Sequence, residues 1–313
     1  MGTIQDMINK LERFKNEIES LSNIKIPIIP DKNGMIDRQC PKTECKSIFK
    51  VSSTDWKNTF KDEEVFCPFC RNNSPAKEYL PEDQRTAVVN NIRSSVSDFW
   101  NHGHSISLNM ISIESREEFE LKIQCEKCNV HFAVIGAAYF CPCCGYNSIE
   151  RTAQESIEKI ILKANKISII QESLESKLSK DEAAIITRSI IENSIPDCIS
   201  TLQSFSELKY NSISNTKAPF NAFQNIEKSN TLWMLAKNEN YSTWLTKNEL
   251  DSLSLFTLRR HLLEHKGGIV DLKYLQNSGD KNYKEGDRII VTANDVELLG
   301  TIVLKLLNQI NKP

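Results

Sequence analysis

The 313-residue sequence has no apolar stretch approaching the ~20 consecutive residues a membrane span needs. Its opening run, MGTIQDMINKLERFKNEI, mixes acids among its apolar residues, which excludes a signal peptide. Asp6 stands where an N-myristoylation signal needs Ser or Thr. A surplus of charge is missing too: the net charge is -2, with 18 basic and 21 acidic side chains in residues 1–150 and 21 and 20 in the remainder. Neither half is basic enough to hold duplex DNA by counterion release, so a nucleic-acid target would be reached through a local site. The expectation is a cytoplasmic protein without membrane contact.

Hydrophobic content of 40% and charged content of 26% fit an ordinary globular chain long enough for two or more domains. Nine of its ten cysteines lie in residues 40–144, and eight form two sets of paired knuckles. Cys40 and Cys45 combine with Cys67 and Cys70; Cys125 and Cys128 combine with Cys141 and Cys144. A short turn between two cysteines points backbone amides at the thiolates, and two such turns supply the tetrahedral four-sulfur shell that zinc favours. The alternatives are a disulfide framework, which a reducing cytosol disfavours, and a redox CxxC, against which two complete quartets argue. In the first knuckle four residues separate the cysteines rather than two. Cys143, inside the last turn, reads as a spectator that could exchange into the shell. Cys198 reads as helix core beside Ile195, Ile199 and Leu202.

Short alternating segments between the knuckles predict the strands of two small ribbons: Ser47–Val51, Glu64–Phe66, Phe119–Ile123 and Val130–Val134. His131 reads as a solvated strand residue. Metal would stabilise units with so little core. Ile4, Met7, Ile8, Leu11, Ile18 and Leu21 share one face of a predicted N-terminal helix. A second helix runs from Pro81 to about Trp100, with His102 and His104 in the loop beyond.

From Thr152 the chain turns to long helices, several opening on a capping box. Thr152–Glu155 starts the first. Ser179–Glu182 starts one that runs toward Lys209 with a kink expected at Pro196. A helix follows Pro219 with Phe220, Phe223, Ile226, Leu232, Trp233 and Leu235, and Thr246–Glu249 opens the next, ending at Gly267-Gly268. After an extended piece, Arg288–Val291, Thr292–Asp295 opens a final helix with an apolar seam at 296, 299, 303, 306 and 310. These helices predict a bundle.

Arg259-Arg260-His261-Leu262-Leu263-Glu264-His265 is the polar cluster with chemical capacity in this half. It reads three ways. Arg260 and Glu264 pair at i,i+4 while His265 meets the helix dipole before a Gly-Gly cap. Alternatively, His261, Glu264 and His265 match H-x-x-E-H, a metalloprotease pattern that needs a further acidic ligand. Thirdly, Arg260-His261-x-x-x-His265 resembles the R-(N/D/H)-x-x-x-H signature of HEPN domains, helical bundles of which many are metal-independent ribonucleases. The continuation Gly267–Tyr274 and Tyr283–Asp287 is similar to bacterial proteins of that type, over roughly residues 179–313. The segments around Asp55-Trp56 and Phe66–Cys70 are similar to uncharacterised bacterial zinc-ribbon proteins.

The resemblance implies that Arg260 and His265 are the catalytic pair, with His261 the polar residue between them. A ribose 2'-OH attacking its own phosphate needs a proton acceptor, a proton donor and a cation on the phosphorane. On an ideal helix Arg260 and His265 point about 140° apart, so two copies meeting in a homodimer would build the site most simply.

The expected architecture is therefore multidomain and mainly α: two small β zinc ribbons in the N-terminal half, followed by a C-terminal HEPN-like helical bundle. Its parts are an N-terminal helix (1–30), ribbon one (31–80), a helical linker (81–115), ribbon two (116–150), a connecting helix (151–178) and the bundle (179–313). The expected function is a metal-independent RNA endonuclease in a toxin-like or anti-phage role. It would act on single-stranded RNA and hold two structural Zn2+ ions, with an antitoxin or trigger protein as partner. The alternative is a non-catalytic zinc-ribbon module binding nucleic acid or protein, with a bundle that only dimerises.

Overall fold

Met35-Ile-Asp-Arg-Gln39 carries no alternation of apolar and polar residues, yet it forms strand β2 of the sheet that organises the N-terminal half. The computed structural model describes residues 4–21, 27–102, 113–116, 119, 121–136 and 138–312. The chain is mainly helical and divides into two units, Met1–Ser148 and Ile149–Pro313. Among the described residues, three small sheets lie in the first unit.

Strands β1 (Ile28–Ile29), β2 (Met35–Gln39), β3 (Ile48–Ser52), β4 (Val65–Phe66), β5 (Asn73–Ser74), β6 (Ile113–Glu114), β7 (Leu121–Gln124) and β8 (His131–Val134) follow in chain order. The antiparallel order β2-β3-β8-β7 joins the two expected ribbons into one sheet, with Phe49 opposite Val134 and Val51 opposite Phe132. Phe49, Val51, Ile123, Phe132 and Val134 face the cysteines in a common core. The other face buries Lys50 completely. Its ammonium lies 2.8 Å from Asp37, 3.0 Å from Asp31 and 2.7 Å from the Arg116 carbonyl. Two carboxylates around one enclosed cation offset the cost of removing it from water.

Helix α1 (Ile4–Leu21) forms as expected, but Ile4, Met7, Ile8, Leu11 and Ile18 are exposed. The docking residue is Phe14, which lies 5.5 Å from Phe99 and 5.2 Å from Trp100, centroid to centroid. The side chain of Leu21 is outside the described residues. After α2 (Ser53–Asn58), α3 spans Glu82–His102 and takes His102 into its last turn instead of leaving it in a loop. Its ring nitrogen reaches Asp98 at 3.9 Å, one turn back. His104 lies outside the described residues.

The second unit contains α4 (Ile149–Asn165), α5 (Ile167–Glu175), α6 (Lys180–Ile213), α7 (Ile226–Lys237), α8 (Tyr241–Trp244), α9 (Lys247–Lys266), α10 (Leu272–Ser278) and α11 (Ala293–Asn311). The boxes at Ser179, Thr246 and Thr292 all form. Glu249 of the second also accepts from Lys305 at 2.7 Å. Lys305 and the Thr246 amide and hydroxyl hold its carboxyl down to about 2, so this contribution to stability is complete above 4.5 and is lost as pH falls through about 2. Thr152 lies inside α4 and not at its start. Burial of Ala153 with Ile157 and Ile160 carries α4 back to Ile149. The expected connecting helix breaks into α4 and α5 at Lys166, and α6 runs unbroken through Pro196 to Ile213. Phe220 is 92% exposed, because Asn221 takes a left-handed conformation and α7 starts only after the Asn225 cap.

The apolar seam of α11, Val296, Leu299, Val303, Leu306 and Ile310, is buried as its spacing implies. At Gly300 the crossing with α4 is so close that an added Cβ would sit 2.5 Å from Ile161 Cγ1. Gly300→Ala should therefore lower stability by about 1–3 kcal/mol, although alanine favours helix by about 1 kcal/mol. In an Ile161→Ala background the same change should be neutral or stabilising. Urea melts of the four proteins in that cycle check both statements.

Candidate metal centres and the Arg260 motif

Four knuckles carry the eight cysteines, and all four are built alike. The residue after each second cysteine is left-handed: Lys46, Arg71, Asn129 and Gly145, with φ between 49° and 64°. That turn brings its amide back to the carbonyl of the first cysteine, as in Arg71 to Cys67 (3.0 Å), Asn129 to Cys125 (2.9 Å) and Gly145 to Cys141 (2.9 Å). In the longer first knuckle Lys42 substitutes for the first cysteine, its carbonyl accepting from Lys46 at 3.0 Å. Each first cysteine in turn donates its amide two residues past the second, Cys40 to Ser47 and Cys67 to Asn72 among them. The four-residue spacing therefore leaves the turn intact.

The sulfurs gather accordingly. Each quartet holds its four sulfurs within 4.8 Å of one another. Cys40–Cys70 and Cys45–Cys67 are 3.7 and 3.8 Å apart; Cys125–Cys144 and Cys128–Cys141 are 3.7 and 3.6 Å. A tetrahedron with metal–sulfur bonds of ~2.3 Å has edges of ~3.8 Å, so each set fits one ion. A disulfide needs ~2.05 Å, and every cysteine is free. Burial pushes the Cys67 thiol up to about 12 and Cys144 to about 11, and raises Cys40 and Cys141 as well. Burial acts the same way on Cys45, but the Ser47 hydroxyl and amide outweigh it and bring that thiol to about 7. Both sites could thus hold a metal ion, which would supply the positive charge that deprotonated sulfurs need. Cys143 stands outside the quartet, its sulfur 3.7 Å from the Thr59 carbonyl. Cys198 is buried in the helical core.

The two centres interlock. Phe66 donates its amide to Pro142 at 2.8 Å, and Tyr139 and Phe140 donate theirs to Pro68 at 2.8 and 3.0 Å. Arg71 Nε reaches the Gly145 carbonyl at 3.2 Å, and a Cβ on Gly145 would press on the Phe66 ring at 3.1 Å. Asp55 on α2 accepts the His131 amide at 2.8 Å and sits 3.1 Å from its Nδ1. His131 is thus an exposed strand residue bonded to an acid, apart from the sulfurs.

At the other candidate site, α9 keeps its helical form through His265 and ends on a left-handed Gly267. Gly267 and Gly268 both donate to the Leu262 carbonyl, Gly268 at 2.9 Å, which closes the end of the helix. The end is clamped further, with Ile289 donating to Gly268, Val270 to Asp287, and Arg288 Nε to Gly267. Arg288 is itself held by both oxygens of Glu192, at 2.6 and 2.8 Å.

Arg260 Nε donates to Glu264 Oε2 at 2.9 Å, and His265 Nε2 lies 3.9 Å from the same oxygen. The two groups leave the helix in different directions, yet the long arginine side chain brings them to one point. His261 lies beside His265, ring centroids 5.0 Å apart. His265 is 60% exposed and Arg260 16%. Among the described residues the metal-capable groups are the two cysteine quartets, and the H-x-x-E-H positions are not one of them.

No family model, curated protein or solved structure matches this chain. Its chemistry must be read from the residues. Arg259, which the sequence reading passed over, is buried and donates to Tyr274 (3.3 Å) and Asp280 (3.1 Å), with Asp295 at 3.5 Å. Burial alone would weaken its proton affinity, and these partners more than offset that. It ties α9 to the loop after α10 and to the cap of α11, which fixes the turn that presents Arg260. The doubled arginine was the available signal: neighbours on a helix lie about 100° apart, so a pair at a buried boundary divides between core and surface.

Cys141→Ser should abolish metal retention at the second centre, whereas Cys143→Ser and Cys198→Ser should leave the metal-to-protein ratio unchanged. Elemental analysis of the purified variants is the measurement, and loss of an ion from Cys143→Ser would overturn the ligand assignment.

Proposed function

We propose that the chain is a HEPN-type RNA endonuclease, with two structural zinc ions in a unit that positions RNA, senses a trigger or mediates assembly. One observation supports the catalytic reading above the rest. Arg260 and His265 converge on one anionic oxygen, Glu264 Oε2, at the exposed end of a clamped helix. A substrate phosphate oxygen in that place would meet a guanidinium able to share phosphorane charge and an imidazole able to exchange a proton near neutral pH. His261 adds a second ring beside it. The 2'-OH supplies the nucleophile, which confines the reaction to RNA. Zinc is favoured because each set of four thiolates fits a single tetrahedral ion, and such ions stabilise small folds.

Two copies sharing one cleft complete the proposed site. Near the end of α9 the surface exposes Ile269, Leu272 and Ile290, the last at 67%, as apolar material for a twofold contact. A toxin-like or anti-phage role, a cytoplasmic location and an antitoxin or trigger partner extend the same proposal. Among the described residues no helix is long and apolar enough to cross a membrane.

A second reading has its own observation. The 2.9 Å bond between Arg260 and Glu264 is an ordinary i,i+4 pair, as in a non-catalytic module whose bundle serves assembly.

Cleavage of single-stranded RNA decides between them. Arg260→Ala and His265→Ala should each reduce it at least ~100-fold while circular dichroism and zinc content stay unchanged. Products should end in 2',3'-cyclic phosphate. Equal cutting of single-stranded DNA, or full activity from a strictly monomeric preparation, would sink the proposal.

Brief exposure to EDTA should leave cleavage intact, because the reacting groups are side chains and substrate. Immediate loss restored by Mg2+ would point to a metal-dependent mechanism, while slow loss over hours would report unfolding of the cysteine unit.

A further inference from the structure

A cavity of about 720 Å³ opens in the first unit and has no cysteine in its wall. That volume falls in the range of small-molecule sites. Its floor is a stacked pair, with the Arg38 guanidinium 3.9 Å from the centroid of the Trp56 ring. Arg38 is only 4% exposed. Its Nη1 donates to the Asp37 carbonyl at 2.6 Å, and Nε, enclosed, has no acceptor. Asp37 cannot neutralise it fully, since its carboxylate already serves Lys50 and the Arg116 amide. Burial lowers the guanidinium to about 10, the nearby Asp37 charge countering only in part. A buried cation with an unspent donor is costly to keep unless something completes it.

The rest of the wall narrows what that could be. Ile28, Pro75 and Leu80 are apolar, and Asp62, Glu63 and Lys77 stand exposed at the rim. The rim is locked in place by the Ala76 amide, which donates to the Asp62 carbonyl at 2.8 Å. An inorganic anion would meet two carboxylates, and a simple cation would meet Arg38. A flat neutral ligand with acceptors on one side and adjacent donors on the other satisfies both. Among the nucleobases guanine has that pattern, with O6 and N7 accepting and N1–H beside N2–H₂ donating.

We propose that this cavity binds a guanine base. The base enters beside the Trp56 ring, turns its keto edge to Arg38 and gives its N1–H and N2–H₂ to Asp62 or Glu63. Lys77 meets the attached phosphate. Guanine reaches the cavity either as a base of single-stranded RNA or as a free nucleotide. The inference stands apart from the nuclease reading, because it uses none of the residues of α9.

Isothermal titration of the full-length, metal-loaded protein tests it, in the His265→Ala background so that RNA is not consumed. GMP should bind saturably, and AMP, CMP and UMP at least ~tenfold more weakly, as the loss of a charge-assisted hydrogen bond implies. Asp62→Asn with Glu63→Gln changes two exposed side chains, so it should keep the fold and weaken GMP at least ~tenfold. Arg38→Lys should weaken it as well. An RNA oligonucleotide with a single guanine that binds more tightly than GMP assigns the base to RNA, and equal binding assigns it to the free nucleotide. Absence of saturable GMP binding, equal binding of AMP, or an unaffected rim variant would overturn the proposal.

Discussion

Backbone pairing between β3 and β8 is the constraint on which the first unit depends. A lone cysteine ribbon has little to bury, and each half of this unit alone would expose the apolar face that carries Phe49 and Val51 or Phe132 and Val134. Joined edge to edge, the strands close a single core in which cysteines of both quartets take part. The crossed knuckle contacts, Phe66 to Pro142 and Tyr139 to Pro68, make the geometry of one sulfur set depend on the other. Metal bound at one centre would therefore organise the backbone around both, and the two quartets form one scaffold more than two modules in series.

In the second unit the comparable constraint is the clamp on the end of α9. Ordinary helix ends fray, and side chains in a last turn lose their bearing. Here Arg259 is anchored from within, and the segment through Ile289 is bonded across the glycine cap. The cost of burying Arg259 is offset by two carboxylates and a phenol. The result is a rigid polar end from which Arg260, His261 and His265 project.

Much of this was legible in the sequence where a local rule acts alone. Cysteine spacing named both quartets, because a knuckle is specified within a few residues. The boxes at Ser179, Thr246 and Thr292 were legible for the same reason, as was the seam of α11. Illegible parts depend on partners distant in the chain. Strand β2 hides because Asp37 and Arg38 are buried, against their type, by Lys50 and Trp56. Thr152 looked like a cap until burial of Ala153 extended α4 past it. The apolar face of α1 was read correctly as a face, but sequence periodicity says nothing about what covers it. The Arg260–Glu264 pair was legible from its i,i+4 spacing, whereas the approach of His265 to the same carboxylate was not.

Lys50 has a meaning in time as well as in space. Synthesis from the N-terminus completes β3 well before His131–Val134 exists, so the nascent first ribbon presents an open edge. Open edges invite pairing with other chains, and a lysine on the strand is a common guard against it. Asp31 and Asp37, already synthesised, can hold that lysine until β8 arrives. In the finished sheet the same ammonium lies enclosed between the two carboxylates, so the residue that marks the open edge ends as part of the core.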